Sequence, residues 1–117
     1  MNEDFVTFEL AVKLKEKEFN YKCHYCYKNS IIMSHCSEPL NHNADAITYS
    51  APTISQVLKW LREEKAISVE PCATPYNCWY YMIKCKGKIK ATYMDNKYKT
   101  YEGAAIAGIE YVLDNLI

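Results

Sequence analysis

The sequence predicts an α+β domain, with helices packed on one face of an antiparallel sheet, and three observations predict it. Residues 50–65, SAPTISQVLKWLREEK, carry a strongly amphipathic helical pattern with its start signal intact. Short segments rich in Tyr, Ile, Val and Cys lie on both sides of it, as half-buried strands require. Both ends of the chain return to helical periodicity. The order therefore reads α-β-β-(β)-α-β-β-β-α, and 117 residues are enough for one domain, residues 1–117, to bury a core without staples.

Taken in order, Thr7 caps a first helix that runs to about Glu18, with Leu10, Ala11 and Leu14 as its apolar stripe and Phe8 and Val12 widening it. Tyr21 to Lys28 alternates strictly, placing Tyr21, Cys23, Tyr25 and Tyr27 on one side of a half-buried strand. Ile31 to Ser34 reads as a second short strand. His35 to Asp45 contains Pro39 and several turn formers, so it is the longest loop, and Ile47 to Tyr49 adds a further short strand. In the central helix Thr53 and Gln56 have the capping-box spacing; Ile54, Val57, Leu58 and Leu61 share one arc with Trp60 at its edge, opposite Ser55, Lys59, Arg62 and Glu63.

Ala66 to Glu70 follows as a strand, Pro71 to Pro75 breaks the chain, and Asn77 to Cys85 resumes it. A three-residue loop at Lys86, Gly87 and Lys88 sets Cys85 opposite Ile89, Ile83 opposite Ala91 and Tyr81 opposite Tyr93, which keeps one face apolar. A two-residue loop would pair Lys84 with Ile89 and turn the faces over. Thr100 then caps a last helix to Leu116, whose stripe is Tyr101, Ala105, Ile109, Val112 and Leu116, with Ala105 and Gly108 allowing a close approach to the sheet.

Composition excludes some function classes. Lys+Arg 14 balances Asp+Glu 14, so there is no bulk attraction to nucleic acid or membrane and any charged site is local. No apolar run reaches the ~18 residues of a membrane span, and the acidic start MNEDF is unlike a secretion signal, so a cytoplasmic protein with its six cysteines as free thiols is expected. With Gly87, Gly103 and Gly108 alone there is no glycine-rich phosphate loop.

Three constellations carry chemistry. Cys23, Cys26, Cys36 and His42 supply the donor types of a tetrahedral zinc site, with His35 beside them, and Cys23-x-x-Cys26 has half of the usual spacing. Within a strand, however, residues three apart point to opposite faces, so the expected arrangement is one buried and one surface thiol. Cys36, His42 and Asp45 contain the residue types of a thiol nucleophile, its base and an orienting acid, but they fall in one polar loop rather than on separate rigid elements. No nucleophile with a positioned base can be named, so no enzyme is expected.

Lys84, Lys86, Lys88, Lys90 and Lys97 surround the last hairpin, with Tyr80 and Met82 on the face of Lys84, a composition found in single-strand nucleic-acid platforms. Helix-strand-strand-strand-helix is also the element order of double-stranded-RNA-binding domains. The competing reading is lysines that keep an edge hairpin from pairing with other chains. Finally, Tyr25, Tyr27, Tyr80, Tyr81 and Tyr93 exceed what one sheet face buries and point to a tyrosine-rich contact surface, for a protein partner or for a second copy in a homo-oligomer.

Three segments, VTFELAVKLKEKEF, SAPTISQVLKWLREE and TYEGAAIAGIEYVLDNLI, resemble a family of small proteins of gut Bacteroidales and their phage-derived or mobile regions. The resemblance implies no activity, cofactor or catalytic residue. The cysteine-rich Tyr21 to Cys36 departs from the tyrosine-rich strands expected of that family. The expectation carried forward is an interaction protein; nucleic-acid binding and a zinc-stabilised domain are the alternatives.

Overall fold

The computed structural model describes residues 5–34, 38–86 and 88–117, with the backbone alone described at Ser34 and at 88–97. The fold is α+β, and its order is α1 (Phe8–Glu16), β1 (Tyr25–Lys28), β2 (Ile31–Ser34), β3 (Thr48–Ser50), α2 (Ile54–Glu64), β4 (Ile67–Ala73), β5 (Trp79–Cys85), β6 (Lys88–Tyr98) and α3 (Tyr101–Asn115). The chain divides into two compact units, residues 1–56 and 57–117. The strands, expected in one sheet, are shared between two three-stranded antiparallel sheets, ordered β2-β1-β3 and β4-β5-β6.

In the first unit α1 starts where the Thr7 hydroxyl accepts the Leu10 amide at 3.2 Å. It ends in a Schellman arrangement: the Phe19 amide donates to the Leu14 carbonyl at 3.0 Å, and the Glu18 amide to that of Lys15 at 3.1 Å. Leu14 and Phe19, the apolar pair that accompanies this motif, are both fully buried. Glu18 holds φ 63°, a left-handed position where glycine is usual.

β1 and β2 form a hairpin with Lys28 opposite Ile31, and Asn29 and Ser30 both take positive φ, as a two-residue turn needs to match strand twist. The expected strand from Tyr21 is shorter than its alternation suggested, because Cys23 leaves the sheet to exchange backbone hydrogen bonds with Leu40 at 2.8 and 3.0 Å. Tyr25 and Tyr27 point to the side where Phe5 and Phe8 pack, at ring separations of 4.6 and 5.5 Å, and Phe8 also meets Tyr49 at 5.5 Å.

The second unit is a meander with α3 against β4 and β5. Pairing of Val69 with Ile83 and Pro71 with Tyr81 continues β4 through the expected break. Pro71 is tolerated because β4 is an edge strand and needs no outward donor there. The alternating Ile67, Val69, Tyr81 and Ile83 are buried, as are Ala105, Gly108, Ile109 and Val112 of α3. A Cβ on Gly108 would stand 2.6 Å from Val69 Cγ1 and 3.2 Å from Tyr81 Cγ, so the close approach expected there is real.

The last hairpin combines both registers considered from the sequence. Tyr81 pairs with Tyr93 and Ile83 with Ala91, as the three-residue loop predicts, whereas Lys84 pairs with Ile89 and Cys85 with Lys88, as the two-residue loop does. A bulge between the two stretches reconciles them, leaving Lys90 as the extra residue. In α2 the Thr53 amide donates to Gln56 Oε1 at 2.8 Å and the Gln56 amide to Thr53 Oγ1 at 3.2 Å, a reciprocal capping box, and Ile54, Val57, Leu58, Trp60 and Leu61 are all buried.

Two substitutions check these backbone constraints by denaturant unfolding. Glu18→Gly is expected to raise stability by about 1 kcal/mol by relieving the left-handed position. Gly108→Ala is expected to lower it by about 1–2 kcal/mol, because overpacking against Val69 and Tyr81 outweighs the helix propensity gained.

Candidate interaction site

The first sheet has α1 on its Tyr25 and Tyr27 side, and the opposite side, which bears Cys26, Lys28 and Met33, borders a groove of about 640 Å³. The far wall of the groove comes from residues 40–45, which side-chain hydrogen bonds hold in place. Asn41 Oδ1 accepts the Asn43 amide at 3.2 Å and opens a short 3-10 turn, His42–Ala44. Asn43 ties three elements together, its Nδ2 donating to the Phe19 carbonyl at 2.7 Å and its Oδ1 accepting the Ser50 amide at 2.8 Å. His42 Nε2 is 2.9 Å from the Cys23 carbonyl, and since a carbonyl only accepts, that nitrogen carries the proton. Lys15 Nζ donates to the carbonyls of Asp45 and Thr48 at 2.6 and 2.7 Å, and lies 4.6 Å from the centre of the Tyr49 ring.

These bonds close one edge of the sheet. In an antiparallel ladder alternate residues turn their N–H and C=O outward, and on β3 these are Thr48 and Ser50. Lys15 takes the Thr48 carbonyl and Asn43 the Ser50 amide, so side chains already occupy two of the four outward groups of the β3 edge. The β2 edge differs. Ile31, Ile32 and Met33 are 65, 40 and 47% exposed, three consecutive apolar residues showing both faces of an edge strand. Among the described residues no group outside β1 is hydrogen-bonded to them. Met33 and the exposed Leu40 also line the groove.

The thiols here are quiet. Cys23 and Cys26 are both buried, where strand alternation alone predicted one at the surface; Cys23 lies outside β1, so the period of two does not connect them. Burial pushes Cys23 up from 9.0 to about 11, partly offset by the neighbouring Ser50 hydroxyl. Burial also raises Cys26; Lys28 lowers it and Asp45 raises it. A raised thiol is neither a ready nucleophile nor a ready metal ligand. Among the described residues no group of three or more His, Cys, Asp or Glu could hold a metal ion, and of the four zinc candidates Cys23, Cys26 and His42 are described while Cys36 lies outside the described residues.

The tyrosines named from the sequence do not share one surface. Tyr25 and Tyr27 pack on Phe5 and Phe8, and the Tyr27 hydroxyl donates to the Val6 carbonyl at 2.6 Å. Tyr81 is buried beside Gly108 and Tyr111, so it is not a contact residue. Tyr80 lies half-exposed on the other side of its strand, paired with Cys72, and a hydrogen bond with that thiol raises its phenol. Tyr93 pairs with Tyr81 in register, and its side chain is outside the described residues.

The three-residue loop expected from the sequence would set Lys84 opposite Lys90, a like-charge pair; the bulge instead sets Lys84 opposite Ile89, and its ammonium lies 3.1 Å from Glu70. Lys86 is exposed, Lys88 pairs with Cys85, and Lys97 falls in the irregular stretch between the Tyr81 and Trp79 pairings; the side chains of Lys88, Lys90 and Lys97 are outside the described residues. The signal that sequence reasoning missed was the run Ile31-Ile32-Met33, which does not alternate and so has no polar face to give to water. No family model, curated protein or solved structure matches the chain. Among the described residues no helix is long and apolar enough to cross a membrane.

The Cys23 shift has a testable sign. A group whose pKa is raised on folding contributes stability that is intact below its unfolded value and lost as pH rises through the folded one. Between pH 9.0 and about 11 the wild type is therefore expected to lose about 2–3 kcal/mol relative to Cys23→Ala, measured as the difference in unfolding free energy across that window.

Proposed function

We propose that this chain is a small cytoplasmic interaction protein that acts by protein–protein contact, and that its partner is a second copy of itself joined through β2. The observation that carries this reading is the open apolar edge formed by Ile31, Ile32 and Met33. An edge strand normally carries a charge, a proline or a covering element that blocks further pairing, and among the described residues of this sheet the β3 edge has one and β2 does not. Antiparallel pairing of β2 with its own copy sets Ile32 opposite Ile32 and Ile31 opposite Met33, so each apolar side chain meets another. It joins two three-stranded sheets into one of six strands. A formal net charge of +0 leaves no long-range repulsion between copies.

Cys23, Cys26, Cys72, Cys78 and Cys85 stand as free thiols, the state a reducing compartment maintains, which supports the cytoplasmic part of the reading. The origin in a phage-derived or mobile region that the three resembling segments imply belongs to the same proposal.

Native mass spectrometry together with light scattering on the full chain tests it. The expected mass is near twice 13.6 kDa at tens of micromolar protein. Ile32→Lys, an exposed position where a charge blocks strand pairing, is expected to give a folded monomer. A wild type that stays monomeric under those conditions contradicts the proposal, as does an Ile32→Lys variant that still dimerises.

A further inference from the structure

The second unit holds a separate feature that the β2 edge does not explain. A depression of about 280 Å³ lies where the end of α2, the start of β4 and the end of β5 meet, lined by Arg62, Ala66, Ile67, Ser68, Lys84 and Lys86. Two left-handed residues shape it. Ala66, with φ 56°, turns the chain from α2 into β4, and Lys86, with φ 54°, starts the last hairpin. The Lys86 amide donates to the Ala66 carbonyl at 3.4 Å, which draws these two bends together. Pairing of Ser68 with Lys84 then places the Ser68 hydroxyl and the Lys84 stem on one side of the sheet.

Three cationic side chains thus converge on a small concavity in a chain whose formal net charge is +0. Lys84 is shared with Glu70 at 3.1 Å. Arg62 and Lys86 are exposed and have no acidic partner among the described residues. Guanidinium, ammonium and hydroxyl donors around an apolar floor of Ala66 and Ile67 suit a phosphate oxyanion. The side of the sheet that carries Lys84 continues along β5 through Met82 to Tyr80, both half-exposed, and Tyr80 lies four residues from Lys84, about 13 Å along the strand. An aromatic ring at that distance from a phosphate site offers a stacking surface for a neighbouring base.

We propose that the depression formed by Arg62, Ser68, Lys84 and Lys86 binds a backbone phosphate of single-stranded nucleic acid, with Tyr80 stacking a base further along the same strand. The shared chemistry of a free phosphate and a phosphodiester makes a small phosphorylated molecule the competing source. Tyr80 decides for the strand, because a small anion does not use it. A duplex is disfavoured because its bases are already stacked and unavailable to the ring.

The test is fluorescence anisotropy of the full chain with a labelled single-stranded oligonucleotide of mixed sequence, repeated with the same sequence as a duplex and with unlabelled inorganic phosphate as competitor. The one backbone phosphate seated in the depression predicts a slope of about −0.7 in log affinity against log salt, which is about a 2.6-fold loss between ~50 and ~200 mM salt. Arg62→Glu and Lys86→Glu are each expected to weaken binding by at least about 10-fold, and Tyr80→Ala by about 5-fold or more. Lys22→Glu, the same charge change at an exposed residue that does not line the depression, is expected to leave it within about 2-fold.

Circular dichroism confirms that each variant folds, and the exposed Arg62 and Lys86 sites make that outcome the expected one. Three results overturn the proposal: no binding of the oligonucleotide at low salt, equal loss in Lys22→Glu and Arg62→Glu, or duplex bound as well as single strand. Competition by inorganic phosphate at concentrations comparable to oligonucleotide phosphate, with Tyr80→Ala unchanged, assigns the depression to a small phosphorylated ligand and overturns the nucleic-acid part.

Discussion

A three-stranded sheet has a single interior strand, so four of the six strands described in this chain are edges, and how each edge is closed decides what the surface can do. β3 is closed by side chains from elsewhere in its unit, Lys15 on the Thr48 carbonyl and Asn43 on the Ser50 amide. β4 carries Pro71 and Glu70, residues that resist addition of a strand. β6 has lysine at 88, 90 and 97 and a bulge at Lys90, which breaks the regular ladder a new strand would need. β2 has only Ile31, Ile32, Met33 and Ser34. That asymmetry is the physical basis for assigning contact to one edge of one sheet.

Several polar and ionisable side chains of the first unit are committed to hydrogen bonds within it. The His42 ring proton is committed to the Cys23 carbonyl, the Cys23 thiol is held protonated by burial, and Cys26 sits in the groove wall with its thiol also raised. Asn43, Asn41 and Asp45, which from composition read as turn formers, act as struts that fix residues 40–48 against α1 and the sheet. The groove is therefore a shaped surface built from hydrogen bonds that are already used, flanked by apolar Met33 and Leu40.

Much of the fold was legible because it is written in local signals. Thr7, Thr53 with Gln56, and Thr100 each start the helix that their spacing predicts, and the buried arc of α2 is the one that its periodicity picks out. Other features depend on partners distant in sequence. The Cys23–Leu40 bridge and the closure of β3 by Asn43 join residues 17 and 7 apart, the β1–β3 pairing of the first sheet joins residues 20 to 24 apart, and no local pattern encodes which strand they meet. The hairpin tip was ambiguous because two registers each satisfied half of the strand, and only a bulge allows both. The tyrosine surface failed as a unit for a related reason: composition counts rings, whereas Tyr80 and Tyr81 lie on opposite faces and Tyr25 and Tyr27 belong to the aromatic packing around Phe5 and Phe8.

The claim on which the functional account rests is that β2 is an open edge that a second copy fills. Amide hydrogen exchange of Ile31 to Met33, followed by mass spectrometry or NMR over a dilution series, measures that directly, because an outward amide is protected only when a strand lies against it. The account predicts slow exchange at Ile32 in concentrated protein and fast exchange on dilution, with the Cys26 and Tyr27 amides of the interior strand protected throughout. Protection at Ile32 that does not change with concentration, or its absence at every concentration, would contradict it.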